Sequence, residues 1–430
     1  MVVCRVWTIA FLVASIASCA ATWPPQGTSE PRTADSAVAL PMPERTYIWN
    51  AESLALAQRL VAAGDPELVA ARDAIVQQAD LFLSEPVIPI TDGKGDPKVA
   101  APSGDPREYI SIGPYWWPNP DTDDGLPFVR RDGEVNPDRS KYDADKLAHF
   151  GRVTTGLALG YLVTGDERYA ARAADHLRTW FVDPASRMHP RMEFAQFVPG
   201  VTERGRKSGV IETLRIRFVA DAMEIIAQSD HWSPEDDAEA RRWYTEYLDW
   251  LLNSDLGKAE LATANNHATW ALAQCVQYAL VTGQRDLATK LALEGRRVIE
   301  EHIESDGRQP EELTRTIALH YCGFNLRGLL DLAVYAETLD VHLLGYTSPS
   351  GGSIAAALEF VEPYMTDRKD WPYQQIRPNS YERYNQLFRM AFDAYDDPSL
   401  GRVIDDLPPL EARHLWMAYV WPRPLTARAK

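Results

Sequence analysis

The sequence predicts an all-α protein built from helical hairpins, on three observations. Nine segments carry apolar residues three and four apart, among them "AESLALAQRLVAAG", "LAHFGRVTTGLALGYLVTG" and "ATWALAQCVQYALVTG", the spacing that lines one face of an α-helix. No comparable set of alternating, strand-like runs accompanies them. Third, "YLVTGDERYAARAADHLRTWF", from Tyr161, is echoed by "YALVTGQRDLATKLALEGRRVI", from Tyr278. Each gives an apolar helix, a Thr-Gly stop, a short turn and a second amphipathic helix. Gly165 and Gly283 fit helix C-termini, where a left-handed backbone costs glycine little. Repeated helical hairpins build either a solenoid or a closed toroid, and the echo alone does not choose between them.

The chain opens with "MVVCRVWTIAFLVASIASCAATW": one Arg5, an apolar run from Val6 to about Ala17, then small residues. This is the pattern of an export signal; a membrane span needs about 20 apolar residues. It predicts an extracytoplasmic protein, periplasmic or secreted. Ile16-Ala17-Ser18-Cys19 also resembles a lipobox, in which Cys19 becomes a lipidated N-terminus and the sole membrane anchor; cleavage after Ala20 or Ala21 frees the protein instead. Residues 1–20 are read as the signal and residues 21–45, rich in Pro, Ser and Thr, as a flexible tether. Residues 46–425 form a single domain.

Of 430 residues, 45% are apolar and 24% charged, an ordinary globular balance, with a generous 13 Trp, 18 Tyr and 12 Phe. Most of these aromatics are expected in the core. The formal charge of -17 and the lack of a long basic run exclude a nucleic-acid binder and favour a soluble monomer. An acidic protein still binds an anion where arginines gather in one cleft, and Arg130-Arg131 and Arg204, Arg206, Lys207 are the candidate clusters. Beyond the signal only Cys275 and Cys322 remain, either as one bridge or as two buried thiols. There is no glycine-rich phosphate loop, no His-Glu-x-x-His, no Cys-x-x-Cys and no Gly-x-Ser-x-Gly, so nothing points to nucleotide use or the familiar hydrolases. His189, His267 and His320 have no metal-ligand spacing. No metal or cofactor is expected.

Two long segments without helical period interrupt the helices, residues 103–143 and 183–213. Loops of that length in a compact helical domain are usually functional. The first carries Tyr115, Trp116 and Trp117 between prolines; the second carries His189, Gln196 and Arg204 among glycines.

Two further stretches hold chemistry-bearing residues. "NNHATWALAQC" places Asn265, Asn266 and His267 where an apolar helix begins. An Asn is a preferred helix cap, yet two amides, an imidazole and free backbone N–H groups at a helix N-terminus also suit a bound carboxylate. "EELTRTIALHYCGFNL" holds Arg315, His320, Tyr321 and Asn325. On one continuous helix Arg315 is turned roughly 120° from Tyr321. The two serve one cleft only if the segment is broken or Arg315 reaches around.

Together "YISIGPYWWPNP", "GLPFVRRDGEVNP", "FAQFVPGVTERGR", "NNHATW", "TRTIALHYCGFNL" and "DWPYQQI" resemble the alginate lyase domain family of polysaccharide lyases, including its polymannuronate- and glucuronan-active branch. The resemblance spans about residues 105–376. It implies an α/α toroid, an incomplete barrel of helical hairpins with a central cleft, and an anionic polysaccharide as substrate. It implies catalytic roles for Asn266, His267, Tyr321 and Arg315. Cleft-lining roles fall on Trp116, Trp117, Gln196, Arg204, Trp371 and Tyr373, and Tyr115, Asn265 and His320 join them as substrate-binding candidates.

The implied chemistry is β-elimination. The C5 proton beside a uronate carboxylate leaves, O4 is expelled, and a C4–C5 double bond remains. Amides and a guanidinium must first neutralise the carboxylate, and a base and an acid must then reach C5 and O4. His267, with an ordinary pKa near 6.5, suits the base better than a phenol near 10. Tyr321 then protonates O4, unless it performs both transfers. Two other classes stay open on sequence: a non-catalytic carbohydrate-binding toroid, and an α/α-barrel glycoside hydrolase working through two carboxylates.

Overall fold

The computed structural model describes residues 40–95 and 100–424. The expected export signal, with Cys19, lies outside them, and of the expected tether only residues 40–45 are described. The chain enters the domain at Tyr47–Trp49, where the buried Asp221 carboxylate accepts three successive backbone N–H groups at 2.7, 3.3 and 3.4 Å.

Helices α1 (Ala51–Ala62) and α2 (Pro66–Leu83) are followed, after the first long insertion, by α3 (Ala144–Thr164) and α4 (Glu167–Leu177). Beyond the second insertion come α5 (Val219–Ile226), α6 (Pro234–Asn253), α7 (Asp255–Leu261) and α8 (Asn266–Val281). Then follow α9 (Arg285–Leu293), α10 (Gly295–His302), the single turn α11 (Pro310–Leu313) and α12 (Ala318–Glu337). The chain closes with α13 (Ile354–Met365), α14 (Tyr381–Tyr395), α15 (Pro398–Asp406) and α16 (Trp416–Val420). The nine periodic segments fall on helices, with refinements at their ends. "RYAARAADHLRTWFV" runs from α4 into a π-turn at Arg178–Val182, and "RDLATKLALEGRRVIEEHI" breaks at Glu294 into α9 and α10. Gly165, at φ 68°, and Gly283, at φ 72°, end α3 and α8 in the left-handed region, as the echo requires.

Packing closes the helices into a ring. α2 packs on α3, α3 on a 3-10 segment at Lys207–Ile216, that segment on α8, α8 on α12, α12 on α14, α14 on α16, and α16 back on α2. This is the toroid rather than the open solenoid. Between the inner and outer helices lies an aromatic core: Phe150 stacks on Trp180 at 4.8 Å, and Phe181, Trp243, Tyr244, Tyr247 and Tyr278 continue from it at ring separations of 4.6–5.6 Å. Each such ring removes about 150–250 Å² from water. Cys275 on α8 and Cys322 on α12 are buried free thiols, so no bridge joins them. Among the described residues no helix is long and apolar enough to cross a membrane.

The insertions contain the few strands. β1 (Ile110–Ile112), β2 (Trp116–Trp117) and β3 (Val129–Arg130) belong to the first, β4 (Phe194–Phe197) to the second. β1 pairs with β4 in parallel, tying the two insertions together, and β2 pairs with β3 as a hairpin. The two insertions are therefore joined to each other through β1 and β4.

Candidate active site

The ring encloses a cleft of about 990 Å³. Nine arginines and two glutamates are its charged lining residues besides His267 and His320, so a protein of net charge -17 surrounds a strongly cationic interior. Low-dielectric walls focus such a field onto an anionic ligand. Arg130 and Arg206 come from the clusters seen in sequence; Arg131, Arg204 and Lys207 lie outside the lining.

Asn265 is the cap of α8. Its backbone is extended and its Oδ1 accepts the His267 N–H at 3.1 Å. Asn266, the first helical residue, is fully buried. Its backbone N–H donates to Glu312 Oε1 at 2.7 Å, and its Nδ2 donates to both Glu312 oxygens at 3.0 and 2.8 Å. His267 turns Nδ1 to Glu260 Oε1, 2.5 Å away on α7. A carboxylate accepts and does not donate, so it fixes the proton on Nδ1 and leaves Nε2 as the basic nitrogen.

The Arg315 segment is broken, which settles the facing problem. α11 ends at Leu313 and α12 starts at Ala318. Residues 316–318, running into the start of α12, pair like a strand with "QQI": Ile376 N–H donates to Thr316 O at 2.9 Å and Ala318 N–H to Gln374 O at 3.0 Å. The break lets Arg315 fold back over Tyr321, with its guanidinium 3.7 Å from the ring centre and its Nη2 2.8 Å from the hydroxyl. Tyr115 OH sits 2.8 Å from the same hydroxyl. Asp132 holds Arg315 from the other side, at 2.8 and 3.3 Å, and accepts from Thr316 Oγ1 at 3.0 Å. The next residue, Gly133, has φ 78°, and a Cβ there would fall 2.5 Å from Thr316 Oγ1. Only glycine permits that approach. Burial opposes ionisation of Asp132, but Arg315 and Thr316 outweigh it and hold its carboxyl at about 2.

Burial, reinforced by Tyr115, pushes the Tyr321 phenol well above its ordinary value although Arg315 pulls the other way. It keeps its proton in the free cleft. His320 also lines the cleft, under Arg383 at 3.1 Å and stacked on Phe324. Burial, with Arg383, Arg327, Arg377 and Arg315 around it, drives its pKa down to about 3, so this imidazole is neutral. Arg327 donates to Gln386 at 2.8 Å; burial, Arg217 and Arg383 lower its pKa to about 9. Such crowding of cations favours an anionic partner.

Tyr115, Trp116, Gln196, Asn265 and His320 thus reach the cleft, as do Asn266, His267, Arg315 and Tyr321. Trp117, Arg204, Trp371 and Tyr373, expected as cleft lining, do not. Neighbours on a strand face opposite ways, so Trp116 on β2 points in, with Arg206 over it at 5.5 Å, while Trp117 donates to Glu134 O and stacks under Arg131. Arg204 is exposed and paired with Glu193 at 3.1 Å. Trp371 packs at 5.0 Å against both Tyr364 and Tyr373, bracing the strand-like segment that holds the break in place. His189 pairs with Asp105 at 2.8 Å, apart from His267 and His320. Among the described residues no group of three or more His, Cys, Asp or Glu is placed to hold a metal ion. Sequence reading missed Glu260, Glu312 and Asp132, the acids that position His267, Asn266 and Arg315. Asp132 and Glu312 are 183 and 46 residues from their partners, and no local pattern marks such pairs.

A helical toroid whose arginine-lined cleft gathers a phenol, an imidazole, a guanidinium and an amide has the groups needed to hold an anionic sugar and to move protons beside it. The alginate lyase family model matches residues 94–371, and the chain belongs to that family. The structure is similar to that of an alginate lyase from Bacteroides ovatus, with 34% identity, a TM-score of 0.83, and coverage of 88% of this chain and 99% of that one. Alginate lyase A1-III from Sphingomonas species A1 shares the fold at 16% identity and a TM-score of 0.51, with 81% and 95% of the two chains covered. No curated protein matches the sequence significantly.

Proposed function

We propose that the cleft binds a uronate polymer, mannuronate-rich alginate or glucuronan, and cleaves it by β-elimination to leave C4–C5 unsaturated ends. The single observation that carries this reading is the convergence on Tyr321 OH of Arg315 and Tyr115, in a cleft shared with His267. Arg315, with Asn266, neutralises the carboxylate and so makes the C5 proton removable. His267 Nε2 takes that proton, its tautomer set by Glu260. Tyr321, a protonated phenol, gives its own to O4 as the glycosidic bond breaks. In mannuronate and glucuronate H5 and O4 lie on one side of the ring, which suits an acid and a base on the same wall.

Purified protein should generate ultraviolet-absorbing ends from polymannuronate or glucuronan without added metal. A flat trace with both, and with polyguluronate, rejects the reading. We also infer export through the first 20 residues, with either a lipid anchor at Cys19 or a free periplasmic or secreted monomer. The mass of the mature N-terminus decides between these.

A further inference from the structure

Asn266 is assigned above to the substrate's carboxylate, yet the free cleft holds it the wrong way round. Both Nδ2 contacts and the backbone N–H go to Glu312, and Oδ1 is buried with no partner. Oδ1 is the one polar atom of the side chain without any partner, and an acceptor repels a carboxylate. An amide's orientation is dictated by its hydrogen-bond partners. The partner here is a buried acid, Glu312, 1% exposed.

We propose that Glu312 takes up one proton from solvent as a uronate binds, and that the Asn266 amide then turns half a revolution to donate to the uronate. Resting on the lyase reading, this makes Glu312 a positioning residue. The atoms balance: neutral Glu312 donates its O–H to Asn266 Oδ1 and accepts the Asn266 backbone N–H on its other oxygen. Both Nδ2 hydrogens become free for the substrate. The orphaned oxygen gains a donor, and a buried like-charge pair of carboxylates is avoided.

The groups around Glu312 allow this. Asn266 and His267 face it from α8, Arg315 from the break, and Cys322 from α12. Burial raises the Glu312 pKa while Asn266, Arg315 and His267 hold it down. Cys322, buried and raised well above its ordinary value, stays a neutral thiol. An arriving carboxylate that occupies Arg315 removes part of the opposition and adds a like charge. By linkage, one coupled proton weakens binding about tenfold per pH unit above the free-state pKa.

Isothermal titration in buffers of different ionisation enthalpy tests this directly, with Tyr321→Phe protein to prevent cleavage. The probe is an oligosaccharide of mannuronate or glucuronate, whichever the wild-type chain cleaves. Uptake of about one proton is expected where Glu312 is ionised in the free protein, and none when Glu312→Gln is added. In turnover, KM of wild type rises with pH while Glu312→Gln shows a flat KM. Gln mimics the protonated acid, donating to Oδ1 and accepting the N–H, so Glu312→Gln should turn over at least about tenfold faster than Glu312→Leu, which leaves both groups unpaired. Binding without proton uptake, uptake that survives Glu312→Gln, or Gln no better than Leu overturns the proposal. A flat wild-type trace with every uronate overturns the lyase reading instead, and this one with it.

Discussion

The two halves of α8 are built from the same helix and differ in what they can do. At its far half, Tyr278 packs at a tilt against Tyr244 and Tyr247, and its hydroxyl donates to Gln274 at 3.3 Å with Thr213 also beside it. Burial lifts that phenol well above its ordinary range and pushes the nearby Cys275 thiol up to about 12. At the mouth, Asn266 and His267 each face an acid from another element, and across the cleft Tyr321 is also a buried phenol with a raised pKa. Burial alone therefore does not make a reactive phenol. Tyr321 differs from Tyr278 in having a guanidinium and a second phenol at its oxygen beside open space. Packing supplies rigidity in one half, and paired charges supply chemistry in the other.

Substitutions at the two ends sharpen this contrast. Tyr321→Phe removes the proton donor and no packing, so turnover should fall by about 10²–10⁴-fold while the protein still binds oligosaccharide and melts as wild type does. Wild-type rates would transfer the acid role to Tyr115. Tyr278→Ala should do the reverse. Unfolding in denaturant should show a loss of roughly 3–5 kcal/mol, as large aromatic truncations in cores do, with kcat little changed while the protein remains folded.

Asp132→Asn is intermediate. It frees Arg315 from its anchor, and misplacing a positioning group by about 1 Å costs on the order of 100-fold, read as kcat on the cleaved polymer. Its stability effect carries a pH signature. The folded pKa of Asp132, about 2, lies below the ordinary value near 3.9. Its contribution is therefore full above about pH 4 and disappears as pH falls towards 2. The melting temperatures of wild type and Asp132→Asn should differ above pH 4 and converge below it. A constant gap across that window would show that the ion pair is not its source.

Helix positions and both helix-stopping glycines were legible because a 3.6-residue period and a left-handed backbone leave local marks in a sequence. That Asn266 and His267 line the cleft was legible because polar groups stand out at the mouth of an apolar helix, while Arg315 and Tyr321 joined them through the family motifs. The pair Trp116 and Trp117 was read as one unit, although strand geometry sends the two rings to opposite sides. "DWPYQQI" was recognised as part of the site, but its aromatics brace the break and Gln375 lines the cleft.

By itself the sequence determined an all-α chain of hairpins, an acidic net charge, and the residue types that the cleft gathers. Only the tertiary structure decided that the hairpins close into a ring, that the Arg315 segment breaks, and which acid stands behind Asn266, His267 and Arg315. The reason is physical. Helical period and capping act over a few residues, whereas the contacts of Glu312 with Asn266 and Asp132 with Arg315 exist only after the ring and its insertions have packed.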